Sequence, residues 1–137
     1  MSSNAPPPQH DLVLILARDL ASRLATAVFL VDPQGDLVYF NEAAEVVLGR
    51  PFVEGEVMAA AAWSSGFQPV DDRGRAIPLQ ELPLGVAIIE RRPAHRELSI
   101  RGEDGIERLI AVTAFPLFTH ADELVGGMAV FWEHAKT

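Results

Sequence analysis

The 137-residue chain has no cysteine. That excludes disulfides, thiolate metal sites, cysteine nucleophiles and any photochemistry that needs a cysteinyl adduct, and it fits a cytoplasmic protein. Basic residues are few: 11 Lys and Arg stand against 19 Asp and Glu, a net charge of −8. A nucleic-acid interface needs a basic stripe that displaces counterions from phosphates, and an anionic membrane needs a basic face, so neither partner is expected. The one local cluster, Arg91, Arg92 and Arg96, reads as cations placed near a helix C-terminus. Long apolar runs are missing too. Residues 12–17 are apolar but closed by Arg18 and Asp19; a membrane span takes about 20 such positions. With no positive charge ahead of it, this run makes a poor signal peptide.

Catalytic constellations are equally scarce. His95, His120 and His134 lack a paired helical spacing and have no cysteine beside them, so no metal centre is expected. Asp71 and Asp72 imitate paired acids, but ahead of Arg73-Gly74 they read as turn formers. Ser64-Ser65-Gly66 sits in loop-like sequence, which is not the setting of a nucleophile elbow. There is no glycine-rich phosphate loop; Gly126-Gly127 lies inside a strand pattern and marks a bulge or close packing. The chain is not expected to be an enzyme.

The residues that are present describe an ordered module. Residues 1–9 read as a disordered tail and 10–26 as a helix. In that helix Asp11, Arg18, Asp19, Ser22 and Arg23 share one arc, while Leu12, Val13, Leu16, Leu20, Ala21 and Leu24 fill the rest. So wide an apolar face suggests burial against two surfaces. Residues 27–31 and 36–40 form a hairpin across the Asp32–Gly35 turn. Asn41 caps a helix over 42–48 that Gly49 stops. Residues 50–82 are less regular, with a short helix expected over 58–63 and a turn at Asp72-Arg73-Gly74. Pro83 restarts a helix through residue 91, and Pro93 closes it.

Three strands follow. Residues 97–101 alternate, with Leu98 and Ile100 on one face and Glu97, Ser99 and Arg101 on the other. Residues 109–117 and 124–132 are apolar on both faces, so both faces must be covered. The short helices cover the inner face. The outer face needs the Leu12–Leu24 helix, a partner chain, or both. The globular unit spans 27–133, with a tail over 134–137.

These elements make an α+β fold with helices packed on a sheet. The chain resembles a PAS domain through Asp32 and Gly35, Asn41-Glu42-Ala43-Ala44, Leu48-Gly49 and Gly74. The likeness continues in Glu81-Leu82-Pro83-Leu84, Asp104-Gly105, Pro116-Leu117 and Gly126-Gly127. The resemblance implies a five-stranded antiparallel sheet of order 2-1-5-4-3, with short helices on its inner face and the N-terminal helix on the outer. Family members commonly continue from an Asp-Ile-Thr into a kinase, cyclase or phosphatase. Here Glu133-His134-Ala135 stands at that place, which leaves open a free-standing sensor or a piece of a longer signalling protein.

The expected function is a sensory signal-transduction module, with a passive protein-docking scaffold that has a filled core as the alternative. The expected pocket is walled by Phe40, Val47, Leu84, Ile88, Leu98, Ile100, Ile110, Val112, Met128 and Val130, and it suits an acyl chain or another small apolar molecule. In the family's register Phe115 and Phe131 face outward; the pattern alone also admits the inverted register. A homodimer is expected through Leu12, Val13, Leu16, Leu20, Leu24, Phe115 and Phe131. No cofactor is required. Haem-binding relatives carry an axial histidine on the helix that here spans 83–92, which has none. A flavin site is not expected either, because residues 97–131 contain no Asn or Gln.

Overall fold

A computed structural model describes residues 9–119 and 121–134. Residues 1–8 of the expected tail, His120 and residues 135–137 lie outside the described part. Five strands, β1 (Ala27–Val31), β2 (Leu37–Phe40), β3 (Ala94–Arg101), β4 (Glu107–Phe118) and β5 (Leu124–Glu133), form one antiparallel sheet in the order β2-β1-β5-β4-β3. Helix α1 (Gln9–Ser22) precedes the sheet. Helices α2 (Glu42–Leu48), α3 (Ala60–Gly66) and α4 (Pro83–Ile89), with a single 3-10 turn at Leu79–Glu81, fall between β2 and β3. This is the strand order the resemblance implies.

Local chemistry sets the boundaries. Asn41 Oδ1 accepts the Ala44 N–H at the start of α2, and Gly49, at φ +69°, ends it with its N–H on the Glu45 carbonyl. The chain reverses four times with one turn design. Gly35, Gly74, Gly105 and Asp122 take the left-handed position, and each donates its N–H to the residue three before it, Asp32, Asp71, Gly102 or Thr119. Asp71 Oδ1 also accepts the N–H groups of Arg73 and Arg75, so this carboxylate builds the turn.

Several elements depart from the sequence reading. Helix α1 stops at Ser22 rather than at 26, because Arg23 and Leu24 donate to Leu20 and Ala21 in tight turns. The α3 helix runs 60–66 rather than 58–63. Met58 is unavailable to it, being engaged in both backbone bonds of a bridge to Leu37. Strand β3 begins at Ala94, directly after Pro93. His95, which precedes the expected strand over 97–101, therefore lies inside the strand opposite Thr113.

Two apolar layers flank the sheet. The inner one packs all five strands against α2, α3 and α4 around Phe29, Phe40, Trp63, Leu84, Leu98, Ile110 and Phe131. The outer one joins Val28, Leu30 and Met128 to Ala21 of α1, with Leu14, Ala17, Phe115 and Val130 packed on it. Full burial of one large apolar side chain contributes about 1.5–3 kcal/mol, and both layers are built of many.

The register of β5 is opposite to the expected one. Met128 and Val130 face outward, and Phe131 faces inward. Phe118 pairs with Leu124 but Leu117 pairs with Gly126, so Val125 is an extra residue. A ladder continued straight from the first pair would turn Met128 and Val130 inward; one bulged residue flips every later side chain.

Candidate functional site

The inner layer forms a partly open apolar pocket of about 80 Å³. Phe29 of β1, Trp63 and Phe67 of the α3 region, Leu82 and Leu84 at the head of α4, Leu98 and Ile100 of β3, Ile110 and Val112 of β4, and Ala129 and Phe131 of β5 wall it, with Leu48, Pro69 and Pro83. No ionised side chain reaches this wall. A cavity of about 150 Å³ holds a benzene ring, so this one, as it stands, suits a slimmer apolar group.

Of the ten expected wall residues, Leu84, Leu98, Ile100, Ile110 and Val112 line the cavity. Phe40 and Val47 belong to the same core but stand behind the wall. Ile88 lines a second cavity of about 150 Å³, bounded also by Val31, Gln34, Gly35, Leu79 and Ile89; Trp63 and Leu84 are common to both. Met128 and Val130 lie on the other side of the sheet. The wall residues that the sequence reading does not name are Phe29, Leu48, Trp63, Phe67, Pro69, Leu82, Pro83, Ala129 and Phe131. Trp63 carried a signal, as a lone aromatic in an alanine run. Its indole N–H donates to the Gly35 carbonyl at 2.8 Å, which fixes the ring between the two cavities.

The outer surface is governed by α1. Leu14, Ala17 and Ala21 seat the helix on the sheet, while the opposite side leaves Leu12, Ile15, Leu16 and Leu20 exposed, Leu16 by 60%. Leu24, beyond the helix end, is exposed as well. Val13 is half-buried, and Phe115 is packed in the outer layer. Phe131 is absent from this surface. Gly126 makes the seat possible: a Cβ there would meet the Val31 carbonyl oxygen at 2.4 Å and Leu14 at 2.9 Å.

Two devices hold α1. Asn41 is buried, 1% exposed. Its Oδ1 accepts from Val28 and Ala44, and its Nδ2 donates to the carbonyls of Ala21, Leu24 and Thr26. Arg18 lies over the rings of Tyr39 and Phe52 and pairs with Glu54. The bond to Glu54 raises the Arg18 pKa and lowers that of Glu54. Burial raises the Tyr39 hydroxyl against the opposing pull of Arg18.

The remaining polar groups serve structure. Arg108 forks onto Asp104 and donates to the Val47 carbonyl, and that bond holds the Asp104 carboxyl below its ordinary value. His95 Nδ1 lies 2.7 Å from Thr113 Oγ1, and His134 is 3.3 Å from Glu97. Among the described residues no three His, Asp or Glu gather as metal ligands, and no helix is long and apolar enough to cross a membrane.

No family model and no curated protein matches the chain. Solved structures do. The PAS domain of the fruit-fly ELK potassium channel superposes with a TM-score of 0.69 at 10% identity, over 90% of this chain and 98% of that one. The Rhodobacter sphaeroides LOV protein gives 0.65 at 16%, over 93% and 69%. The PAS domain of nitrogen regulation protein NR(II) from Vibrio parahaemolyticus gives 0.58 at 12%, over 87% and 98%. The chain has a PAS fold.

Proposed function

We propose that the chain is a sensory signal-transduction module that pairs with a second copy through the outward side of α1 and accepts a small apolar ligand between the sheet and the inner helices. The observation that carries this reading is the double apolar character of α1. One side is seated on the sheet, and the other offers Leu12, Ile15, Leu16 and Leu20 to solvent. Such a row is what a partner surface looks like before it is covered. Support for sensing comes from the fold shared with a nitrogen regulation protein and a LOV protein, and from an apolar pocket behind the sheet.

The mechanism is a population shift. A ligand that prefers one packing of the inner helices changes the arrangement of α1, and it does so only to the extent of its differential affinity. A kinase, cyclase or phosphatase in the cytoplasm is the class of effector such a module drives. Light scattering tests the pairing: wild type is expected as a dimer and Leu16→Glu as a folded monomer, since Leu16 packs little within its own chain. A monomer at high concentration, with no change in Leu16→Glu, sinks the pairing. The small size of the 80 Å³ cavity favours the second reading, a docking scaffold with a filled core. Native mass spectrometry separates the two, because a sensor retains a co-purifying apolar molecule and a scaffold does not.

A further inference from the structure

Phe52 stands at the corner where the inner and outer layers meet. Its ring meets Phe40 edge-on at 5.4 Å on the inner side and Tyr39 at 5.0 Å on the outer. From Phe40 the row continues to Phe29 at 6.4 Å, which stands 5.1 Å from Trp63 and 6.4 Å from Phe131 in the wall of the first cavity. From Tyr39 it continues to Arg18 of α1, whose guanidinium lies 4.6 Å from the Tyr39 ring and 5.5 Å from that of Phe52. The contacts thus run from the cavity wall, round the edge strand β2, to the helix that bears the leucine row.

The segment carrying Phe52 faces solvent and is tied at its ends, Arg50 pairing with Glu56 and Glu103 and the Glu56 N–H closing onto the Val53 carbonyl. Pro51, Val53, Glu54, Gly55, Glu56 and Val57 are exposed, and Phe52 is the residue among them that turns inward. Its N–H donates to Glu45 Oε2 at 2.7 Å, and Glu54 reaches Arg18. Local opening of a loop plugged by one ring would withdraw that ring, and local opening is one way in which sites in a small domain are coupled. The other tie, Asn41, is buried with its amide fully bonded and offers no such alternative.

We infer that Phe52 and Arg18 form a latch through which packing at the cavity sets how firmly α1 is held to the sheet. The latch takes its purpose from the cavity and helix of the proposed function, yet its operation needs neither a ligand nor a second copy. The test is amide hydrogen exchange over residues 13–22 of the full chain, diluted until monomeric, in wild type, Phe29→Leu, Arg18→Met and the double variant. Phe29→Leu and Arg18→Met are each expected to speed α1 exchange about fivefold, as a loss of roughly one kcal/mol of local stability does. The double variant is expected to be no faster than Arg18→Met alone, because the latch is already open. Ile110→Val, which widens the same cavity at a residue that is not part of the aromatic row, is expected to leave α1 unchanged. Factors that multiply in the double variant, or an Ile110→Val effect equal to that of Phe29→Leu, overturn the latch. If Phe29→Leu does not fold, Phe52→Leu takes its place: release of α1 equal to that of Arg18→Met supports the latch, and unchanged exchange overturns it. A ligand-free or monomeric wild type removes the proposed function and leaves this readout intact.

Discussion

Asn41 joins three elements with one side chain. Its carbonyl oxygen starts α2 and holds the Val28 N–H of β1, and its amide nitrogen closes the end of α1. Removing it strands a buried N–H at Val28 and takes a donor from the carbonyls of Ala21 and Thr26. Asn41→Ala is therefore expected to cost about 2–4 kcal/mol in urea unfolding, well above the usual cost of a lost cap. Asn41→Asp keeps both acceptor bonds but points an oxygen at three carbonyls, and it is expected to fare no better. Half of this role was legible. An Asn directly before Glu42-Ala43-Ala44 announces a cap by spacing alone. The reach back to residues 21–26 was not legible, because it depends on where the folded chain returns.

At the scale of elements, legibility followed how much of each pattern was redundant. The hairpin over 27–40, the helix 42–48 and the strand 97–101 each carry a turn, a cap or an alternation that fits one state. The last strand carries none. Met128 and Val130 are as apolar as Ala129 and Phe131, and when both faces are covered, alternation holds no information on which residue points where. The deciding feature was one bulged residue at Val125. The two glycines beside it differ in what they protect. A Cβ on Gly126 would press on the backbone oxygen of Val31, whereas one on Gly127 would touch the far ends of Ile88 and Leu84 at 3.0 and 3.1 Å. Gly126→Ala is thus expected to cost more than about 2 kcal/mol and to loosen α1, while Gly127→Ala is expected to cost under about 1 kcal/mol. Thermal unfolding of the two variants decides it; equal losses would contradict the asymmetry.

Over the whole molecule, the acidic surface makes folding sensitive to acid. The Arg108 fork holds the Asp104 carboxyl below its ordinary value of 3.8, the Arg75 N–H does so for Asp71, and Arg18 does so for Glu54. A carboxyl depressed in the folded state adds stability above its unfolded pKa, and that stability fades as the pH falls through the folded value. The urea midpoint is therefore expected to hold from neutral pH to about 5 and then to drop. Asp104→Asn is expected to lower the plateau slightly and flatten the drop. An acid limb as steep in Asp104→Asn as in wild type would show that this fork does not contribute to it.

The exposed leucines of α1 recur at positions 12, 16 and 20, a spacing of four rather than the alternating three and four of a heptad. Ridges of that spacing slant by about 26° to the helix axis and interlock at about 50°. Two such helices meeting through their ridges would cross like the blades of scissors, touching near one point. Each sheet would then sit at the end of a lever, and a small roll of one helix would swing the opposite body through a wide arc.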